Sequence, residues 1–112
     1  MINLPPIALV QYEVESHSSS GAVKERNTQK ALDAIRIAAR KDAKIVCLQE
    51  LFNAPYFCGS NRDDWQIFAE NPSSSETIST FQELAASLKI SICLPFLEQE
   101  GNQFFCTVFY ID

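Results

Sequence analysis

The chain is poor in the features that mark several large functional classes. Its 9 lysines and arginines are outnumbered by 14 aspartates and glutamates, which gives a formal net charge of -5. Binding to a phosphate backbone requires a basic surface, so we expect no nucleic-acid partner. The longest near-apolar runs, at 92–97 and 104–111, are far shorter than the roughly 20 residues that span a bilayer. We therefore expect no membrane span either.

The N-terminus and the cysteine spacing exclude further classes. Residues 1–6 carry no basic charge, unlike a secretory signal, so the cytoplasm is the default location. The chain has one histidine, and its four cysteines follow one another at spacings of 11, 35 and 13 without a C-x-x-C. Zinc and thioredoxin-type sites need other patterns. We predict no metal, and we expect Cys47, Cys93 and Cys106 to be reduced thiols that pack as small hydrophobes.

The first half of the chain alternates between strand-like and helix-like patterns. Ile7 to Gln11 is a short apolar run, which predicts a buried strand. From about 22 to 42, alanines and an isoleucine recur at helical spacing with basic residues on the other faces, which predicts an amphipathic helix. Residues 43–50 have a continuous apolar, β-branched middle, typical of a strand covered on both faces. A loop over 51–61 should follow, because its asparagine, proline and glycine residues break any regular pattern.

Two helices and a hairpin are predicted for the second half. A short helix should carry Trp65 and Phe68, and Ser73 with Glu76 has the spacing of a capping box before a second amphipathic helix. Two strand-like runs over 90–97 and 104–111 should form a β-hairpin, with a Gly-Asn pair in its connection. Pro95 cannot donate a ladder hydrogen bond, so its strand should be an edge or carry a bulge there. The order of elements predicts an α/β layered fold.

Glu50 is the residue whose position suggests chemistry. It follows the apolar strand 45–48, and ligands of α/β sheets bind outside the carboxyl ends of the strands. We expect a carboxylate there to be partly desolvated, which raises its pKa and makes it a better proton acceptor near neutral pH. The alternative, from pattern alone, is a surface glutamate that caps a strand.

The segment Cys47-Leu-Gln-Glu-Leu-Phe-Asn-Ala-Pro-Tyr-Phe-Cys58 resembles the glutamate motif of the nitrilase superfamily of carbon–nitrogen hydrolases. The likeness is strongest to its N-carbamoylputrescine amidase and β-ureidopropionase branches. It also extends to the strand at 7–11, Asn27 in the first helix and Glu98 near the hairpin. The resemblance implies the N-terminal portion of an αββα-sandwich domain, without a metal or organic cofactor.

In the family that this chain resembles, a cysteine attacks the carbonyl or nitrile carbon, a glutamate moves protons and a lysine stabilises the tetrahedral intermediate. Only Glu50 matches a member of this set. Tyr56 corresponds to a position that lines the substrate pocket, although it could equally be an aromatic that packs the loop onto the sheet. None of the lysines or cysteines has the context of the family's lysine or nucleophile.

The resemblance therefore implies that residues 1–112 are a partial domain that stops before that lysine and cysteine. The complete form, expected to be a homo-oligomer, would hydrolyse a small-molecule amide or N-carbamoyl amine, and this chain alone would be inactive. The sequence stops after an apolar strand, and the apolar faces of its predicted helices would have little to cover them. We therefore also expect it to be the N-terminal half of a larger domain.

Two departures from the family pattern bear on activity. Asp42 stands where the helix-to-strand turn usually has glycine, and Phe105-Cys106-Thr107 replaces an aromatic residue, an asparagine and a small residue. Loss of the asparagine removes a hydrogen-bonding group near the hairpin. Both changes fit a rival interpretation, in which the chain is a non-catalytic truncated gene product that acts as a binding or oligomerisation partner. A third alternative is an unrelated α/β domain in which Glu50 is ordinary.

Overall fold

The architecture is a four-stranded sheet with two helices packed on one face. The computed structural model describes residues 3–15, 21–57 and 64–112. Its elements in chain order are β1 (Ile7–Leu9), α1 (Gly21–Arg40), β2 (Ile45–Cys47), α2 (Glu76–Leu88), β3 (Ser91–Glu100) and β4 (Gln103–Ile111). Two 3₁₀ turns, Trp65–Phe68 and Pro72–Ser74, precede α2. The predicted α/β layering is confirmed.

The strand order in the sheet is β1-β2-β3-β4. The first three strands are parallel and β4 runs antiparallel to β3, because a helix follows β1 and precedes β3 whereas a tight turn joins β3 to β4. The register aligns Leu9 with Cys47 and Cys47 with Cys93. The carboxyl ends of the parallel strands thus meet at one edge, where Glu50 follows β2.

The hydrophobic core lies between the sheet and the two helices. Val46, Ile92 and Leu94 point into it and are fully buried, as is Ile35 of α1. Phe81 of α2 also belongs to this core, with its ring centroid 5.3 Å from that of Phe52 in an edge-on contact. Alternation along the strands then places the other side chains on the opposite face, which no helix covers.

That opposite face, here called the outer face, is largely apolar. The strand register places on it Ile7, Leu9, Ile45, Cys47, Ser91, Cys93, Pro95, Leu97, Cys106, Val108 and Tyr110, of which Ser91 and Leu97 are buried. Leu9 is 83% exposed, Val108 62% and Tyr110 58%. The prediction that Cys106 packs as a small hydrophobe is wrong for this chain, since the side chain is exposed, and Cys47 and Cys93 are half-buried.

The start of α2 corrects the predicted capping box. The N-cap is Ser75, whose Oγ accepts a hydrogen bond of 3.0 Å from the backbone N–H of Ile78. Ser73 lies instead in the preceding 3₁₀ turn, where its backbone N–H donates to the Asn71 side chain. The box fails because counting from the true cap places Ile78, and not a glutamate, at the third helical position.

The hairpin is longer than the sequence indicated, with a two-residue connection of Gly101 and Asn102. Gly101 has a φ of 58°, a conformation that glycine adopts without steric cost. Pro95 lies on an inner strand, but the pairing of β3 with β2 ends at Cys93. On that side, therefore, β3 is locally unpaired at Pro95, as its missing N–H requires.

The turn from α1 into β2 retains the left-handed conformation for which the resembled family uses glycine. Asp42 has a φ of 66°, which costs a non-glycine residue about 1–2 kcal/mol, although aspartate tolerates it better than most. Asp42 therefore adopts the left-handed conformation itself, at this cost in conformational energy. Within the described ranges, no helix is both long and apolar enough to cross a membrane.

Candidate active site

Glu50 lies in a tight turn directly beyond β2. The last sheet contact before it is the backbone N–H of Leu48, which donates to the carbonyl of Cys93 at 3.2 Å. Leu51 then takes a left-handed φ of 52° although its side chain is only 2% exposed. The packing of the Leu51 side chain holds this unfavourable backbone in place, and such outliers cluster at functional sites. Nothing in the sequence pattern identifies Leu51 as left-handed.

The turn places Glu50 at the mouth of a small cavity. The volume is about 200 Å³, and the lining residues are Glu50, Leu51, Pro95, Phe96, Cys106, Thr107 and Val108. The expectation of a partly desolvated carboxylate is wrong for this chain, because the Glu50 side chain is exposed. Because residue 51 is left-handed, Leu51 rather than Glu50 turns into the core. The carboxylate is therefore free to meet a group that enters from the outer face.

Gln49 fixes the position of the residue before Glu50. Its Oε1 accepts a hydrogen bond of 2.6 Å from the backbone N–H of Tyr12, and its Nε2 donates to the Tyr12 carbonyl at 2.8 Å. The side-chain amide thereby pairs with both polar groups of one backbone unit, as a strand neighbour would. This clamp extends the β1–β2 pairing past the regular strands. Sequence reasoning overlooked Gln49, although an amide next to the motif glutamate was visible.

Tyr12 and Asn27 hold the other side of this turn. The Tyr12 hydroxyl donates to the Phe52 carbonyl at 2.8 Å, and burial raises the pKa of the Tyr12 phenol far above its ordinary value. The phenol therefore remains a proton donor. Asn27, fully buried, bonds both backbone groups of Glu15, at 2.8 Å and 3.2 Å. The loop after β1 is thus tied to α1.

Tyr56, the second predicted site residue, does not line the cavity that Glu50 borders. Its side chain is 58% exposed. The intervening residues Phe52 and Asn53 are buried, with exposures of 0% and 3%, so they support the loop from within. The structure does not bring Tyr56 and Glu50 into one cavity, and the role of Tyr56 stays a prediction.

Glu98 is more integrated than its place near the hairpin end suggested. Its side chain is half-buried, and Oε2 accepts a hydrogen bond of 2.6 Å from the Thr107 hydroxyl on the neighbouring strand. Glu98 is therefore not a simple solvated carboxylate. Because Thr107 lines the cavity beside Glu50, Glu98 contacts the candidate site through this hydroxyl. Strand register across a hairpin is what could have revealed the pairing.

Cys106, which stands where the resembled family usually has an asparagine, lies in the candidate site. It is exposed and lines the cavity together with Glu50. A thiol is a weaker hydrogen-bonding group than the amide of asparagine, so the polarity of this wall is reduced. Within the described part of the chain, no cluster of three or more histidine, cysteine, aspartate or glutamate side chains is arranged to hold a metal ion.

Sequence comparison identifies similarity to one enzyme family over nearly the whole chain. A family model described as carbon-nitrogen hydrolase matches residues 6–112. The chain is 38% identical over 90 residues to an N-carbamoylputrescine amidase of Oryza sativa subsp. japonica, a match that covers 80% of this chain and 30% of that protein. It is 34% identical over 98 residues to a chloroplastic omega-amidase of Arabidopsis thaliana, covering 80% of this chain and 25% of that protein.

Structural comparison gives the same result. The fold is similar to that of Saccharomyces cerevisiae Nit3, a member of branch 10 of the nitrilase superfamily, with a TM-score of 0.71 and 28% sequence identity. The superposition covers 95% of this chain and 39% of Nit3. The chain thus spans about 30% of the length of the rice amidase and less than half of the yeast structure.

Proposed function

The chain belongs to the carbon–nitrogen hydrolase family, and from that premise we propose that it is the N-terminal part of an enzyme that hydrolyses non-peptide C–N bonds in N-carbamoyl amines or small amides. The proposal also assigns the catalytic residues to two different parts of the sequence. Residues 1–112 supply Glu50, and the lysine and cysteine of the Glu-Lys-Cys set that the resemblance implies come from sequence outside them.

The observation that carries the proposal is the placement of Glu50. It is exposed at the carboxyl end of β2 and borders a cavity whose other walls are mostly apolar. The Gln49 clamp and the buried Leu51 side chain fix the backbone on both sides of it. A carboxylate on a rigid backbone can take a proton from a group that enters the cavity without first having to be ordered.

The chemistry assigned to Glu50 is general-base catalysis. A cysteine nucleophile attacks the carbonyl carbon of the substrate and expels the amine or ammonia, and water then hydrolyses the acyl intermediate. Glu50 accepts the proton of the nucleophile and passes it to the departing amine or ammonia. It then accepts a proton from the attacking water and returns it to the cysteine sulfur as the acid leaves, while a fixed positive charge stabilises the oxyanion. Tyr56, exposed six residues further along, is proposed to contact the substrate from the loop.

The test restores a complete domain. Residues 1–112 are fused to the remaining part of the rice N-carbamoylputrescine amidase, and ammonia release from N-carbamoylputrescine is measured. Glu50→Gln keeps the shape of the side chain but removes the base, so we expect kcat to fall about 10² to 10⁴-fold.

The matched control is Glu100→Gln, because Glu100 is an exposed hairpin carboxylate that does not line the cavity. It should change the rate by less than about tenfold. Glu98→Gln should lie close to this control, since a glutamine can still accept the Thr107 hydrogen bond. Equal losses in Glu50→Gln and Glu100→Gln, or unfolding of the Glu50 variant seen by circular dichroism, would remove the basis for assigning Glu50 as the base.

A second candidate function is supported by the outer face and by Cys106. A product with no catalytic activity could use the exposed apolar side chains of Leu9 and Val108 to bind another protein chain, and the loss of the family's asparagine would then be without consequence. The fusion separates the two proposals. If it is correctly folded but inactive, and replacement of Cys106 by asparagine restores turnover, the native chain is better described as a binding partner than as part of an enzyme.

A further inference from the structure

Two thiols lie side by side on neighbouring parallel strands. Cys47 is the last residue of β2, and its register partner on β3 is Cys93. Register partners on adjacent strands point to the same side of a sheet, so both side chains belong to the outer face. Both cysteines are half-buried free thiols, and the proposed hydrolase function uses neither of them.

The geometry of this pair fits a covalent link. Adjacent strands lie about 4.7–4.9 Å apart, and the Cα atoms of disulfide-bonded cysteines are usually about 4.4–6.8 Å apart. The strand register aligns the two side chains. The pKa of the Cys47 thiol agrees with this placement, because burial raises it first and the interaction with the Cys93 side chain raises it further.

We propose that Cys47 and Cys93 form an oxidation-sensitive site, at which a hydroperoxide converts the two thiols into an intramolecular disulfide that links β2 to β3. One sulfur attacks an oxygen of hydrogen peroxide, the O–O bond breaks, and a sulfenic acid and one water result. The other sulfur then attacks the sulfenic sulfur, the S–O bond breaks and a second water leaves. Two electrons pass from the two sulfurs to the peroxide, and both thiol protons end in water.

The position of the bond connects it to the candidate active site. Cys93 accepts the Leu48 hydrogen bond through its carbonyl, and Glu50 follows two residues after Leu48. Further along β3, Pro95 and Phe96 form part of the wall of the Glu50 cavity. A disulfide at this point fixes the separation of the two strands that carry Glu50 and that wall. In the 112-residue chain, where the pair is half-buried on the uncovered outer face, small thiols can reach the bond, which makes it reversible there.

The test uses the 112-residue chain in a variant, Cys58→Ser/Cys106→Ser, that retains only this pair. It is treated with hydrogen peroxide, the peroxide is removed with catalase, and remaining thiols are alkylated with N-ethylmaleimide before intact-mass measurement. We expect a monomer about 2 Da lighter than the reduced chain that takes up no alkylating reagent. Dithiothreitol should restore two alkylated thiols. Adding Cys93→Ser to this variant should abolish the intramolecular product.

Two further measurements guard against chance pairing and against a misfolded variant. Peptide mapping of the oxidised four-cysteine chain should join Cys47 to Cys93 in preference to any other pair. The same oxidation in 8 M urea should form the intramolecular bond at least about tenfold more slowly, because unfolding removes the alignment of the strands. Full alkylation after peroxide treatment, a link from either residue to Cys58 or Cys106 in the native chain, or equal rates with and without urea would overturn the proposal.

Discussion

Replacement of Glu70 tests which contacts hold the two helices against the sheet that carries Glu50. The Glu70 carboxylate accepts hydrogen bonds from Ser75 Oγ at 2.8 Å and Thr77 Oγ1 at 2.6 Å, and it pairs with Lys24 Nζ at 2.7 Å. Its backbone pairs with β3, since its N–H donates to the carbonyl of Leu97 at 3.0 Å. The Glu70 side chain therefore joins α1 to the start of α2, and its backbone joins this connection to the sheet.

The expected cost of Glu70→Gln follows from these contacts. Hydrogen bonds to a charged group are about twice as strong as neutral ones, so loss of the charge weakens three interactions by roughly 1 kcal/mol each. The Lys24 side chain, only 20% exposed, also loses its counter-ion. We expect the free energy of unfolding to fall by about 2–4 kcal/mol, measured by urea denaturation at a low protein concentration that is the same for every variant.

The pH dependence of the stability that Glu70 contributes gives an independent check, because the direction of the Glu70 pKa shift determines whether stability rises or falls with pH. Burial alone would raise the pKa of Glu70, but the hydrogen bond and charge of Lys24 and the hydrogen bonds from Thr77 and Ser75 outweigh it and leave the pKa below its ordinary value. The folded state thus binds this proton more weakly than the unfolded chain. The stabilisation is complete above about pH 4.3, the ordinary glutamate value, and is lost as the pH falls through the folded-state pKa.

The difference in stability between the native chain and Glu70→Gln should therefore be largest near pH 7 and shrink in acid. The matched control is Glu25→Gln, because Glu25 is an exposed glutamate on α1 and its replacement should cost less than about 0.5 kcal/mol. A double-mutant cycle with Lys24→Met should show coupling between Lys24 and Glu70. Glu70→Gln and Glu25→Gln variants of equal stability, or a difference independent of pH, would refute the reasoning.

Three other outcomes are expected. Gln49→Ala should lower the free energy of unfolding by about 1–3 kcal/mol in the same urea assay, because two hydrogen bonds to the Tyr12 backbone are lost; an unchanged midpoint would argue against the clamp. The isolated chain should release no ammonia from N-carbamoylputrescine above a buffer blank, and turnover that disappears in Glu50→Gln would contradict this. The isolated chain should also self-associate through the outer face, which light scattering would detect. The double variant Leu9→Lys/Val108→Lys should lower the apparent mass, whereas the control Ile37→Lys, on α1, should not. A monomeric native chain would count against the outer face as an association surface.

Local sequence determined most of the elements of the fold. The apolar spacing of α1 predicted its extent almost to the residue, and the Gly101-Asn102 pair predicted the hairpin turn, because both depend on neighbours along the chain. The capping box was misassigned because several serines precede α2 and only the three-dimensional contacts select Ser75. A choice among equivalent local signals requires tertiary structure.

The candidate site divides in the same way. The sequence determined that Glu50 follows an apolar strand within a motif typical of carbon–nitrogen hydrolases, since a contiguous segment carries that information. The prediction that this strand is covered on both faces is wrong for this chain, because Ile45 and Cys47 are only half-buried. Only the tertiary structure decided that Leu51 is left-handed, that Gln49 bonds the Tyr12 backbone, and that Thr107 and Cys106 face the same cavity as Glu50. The physical reason is that these contacts join β1, β2 and β4, and the register that aligns the strands is set by packing of the whole sheet against α1 and α2 rather than by any one segment.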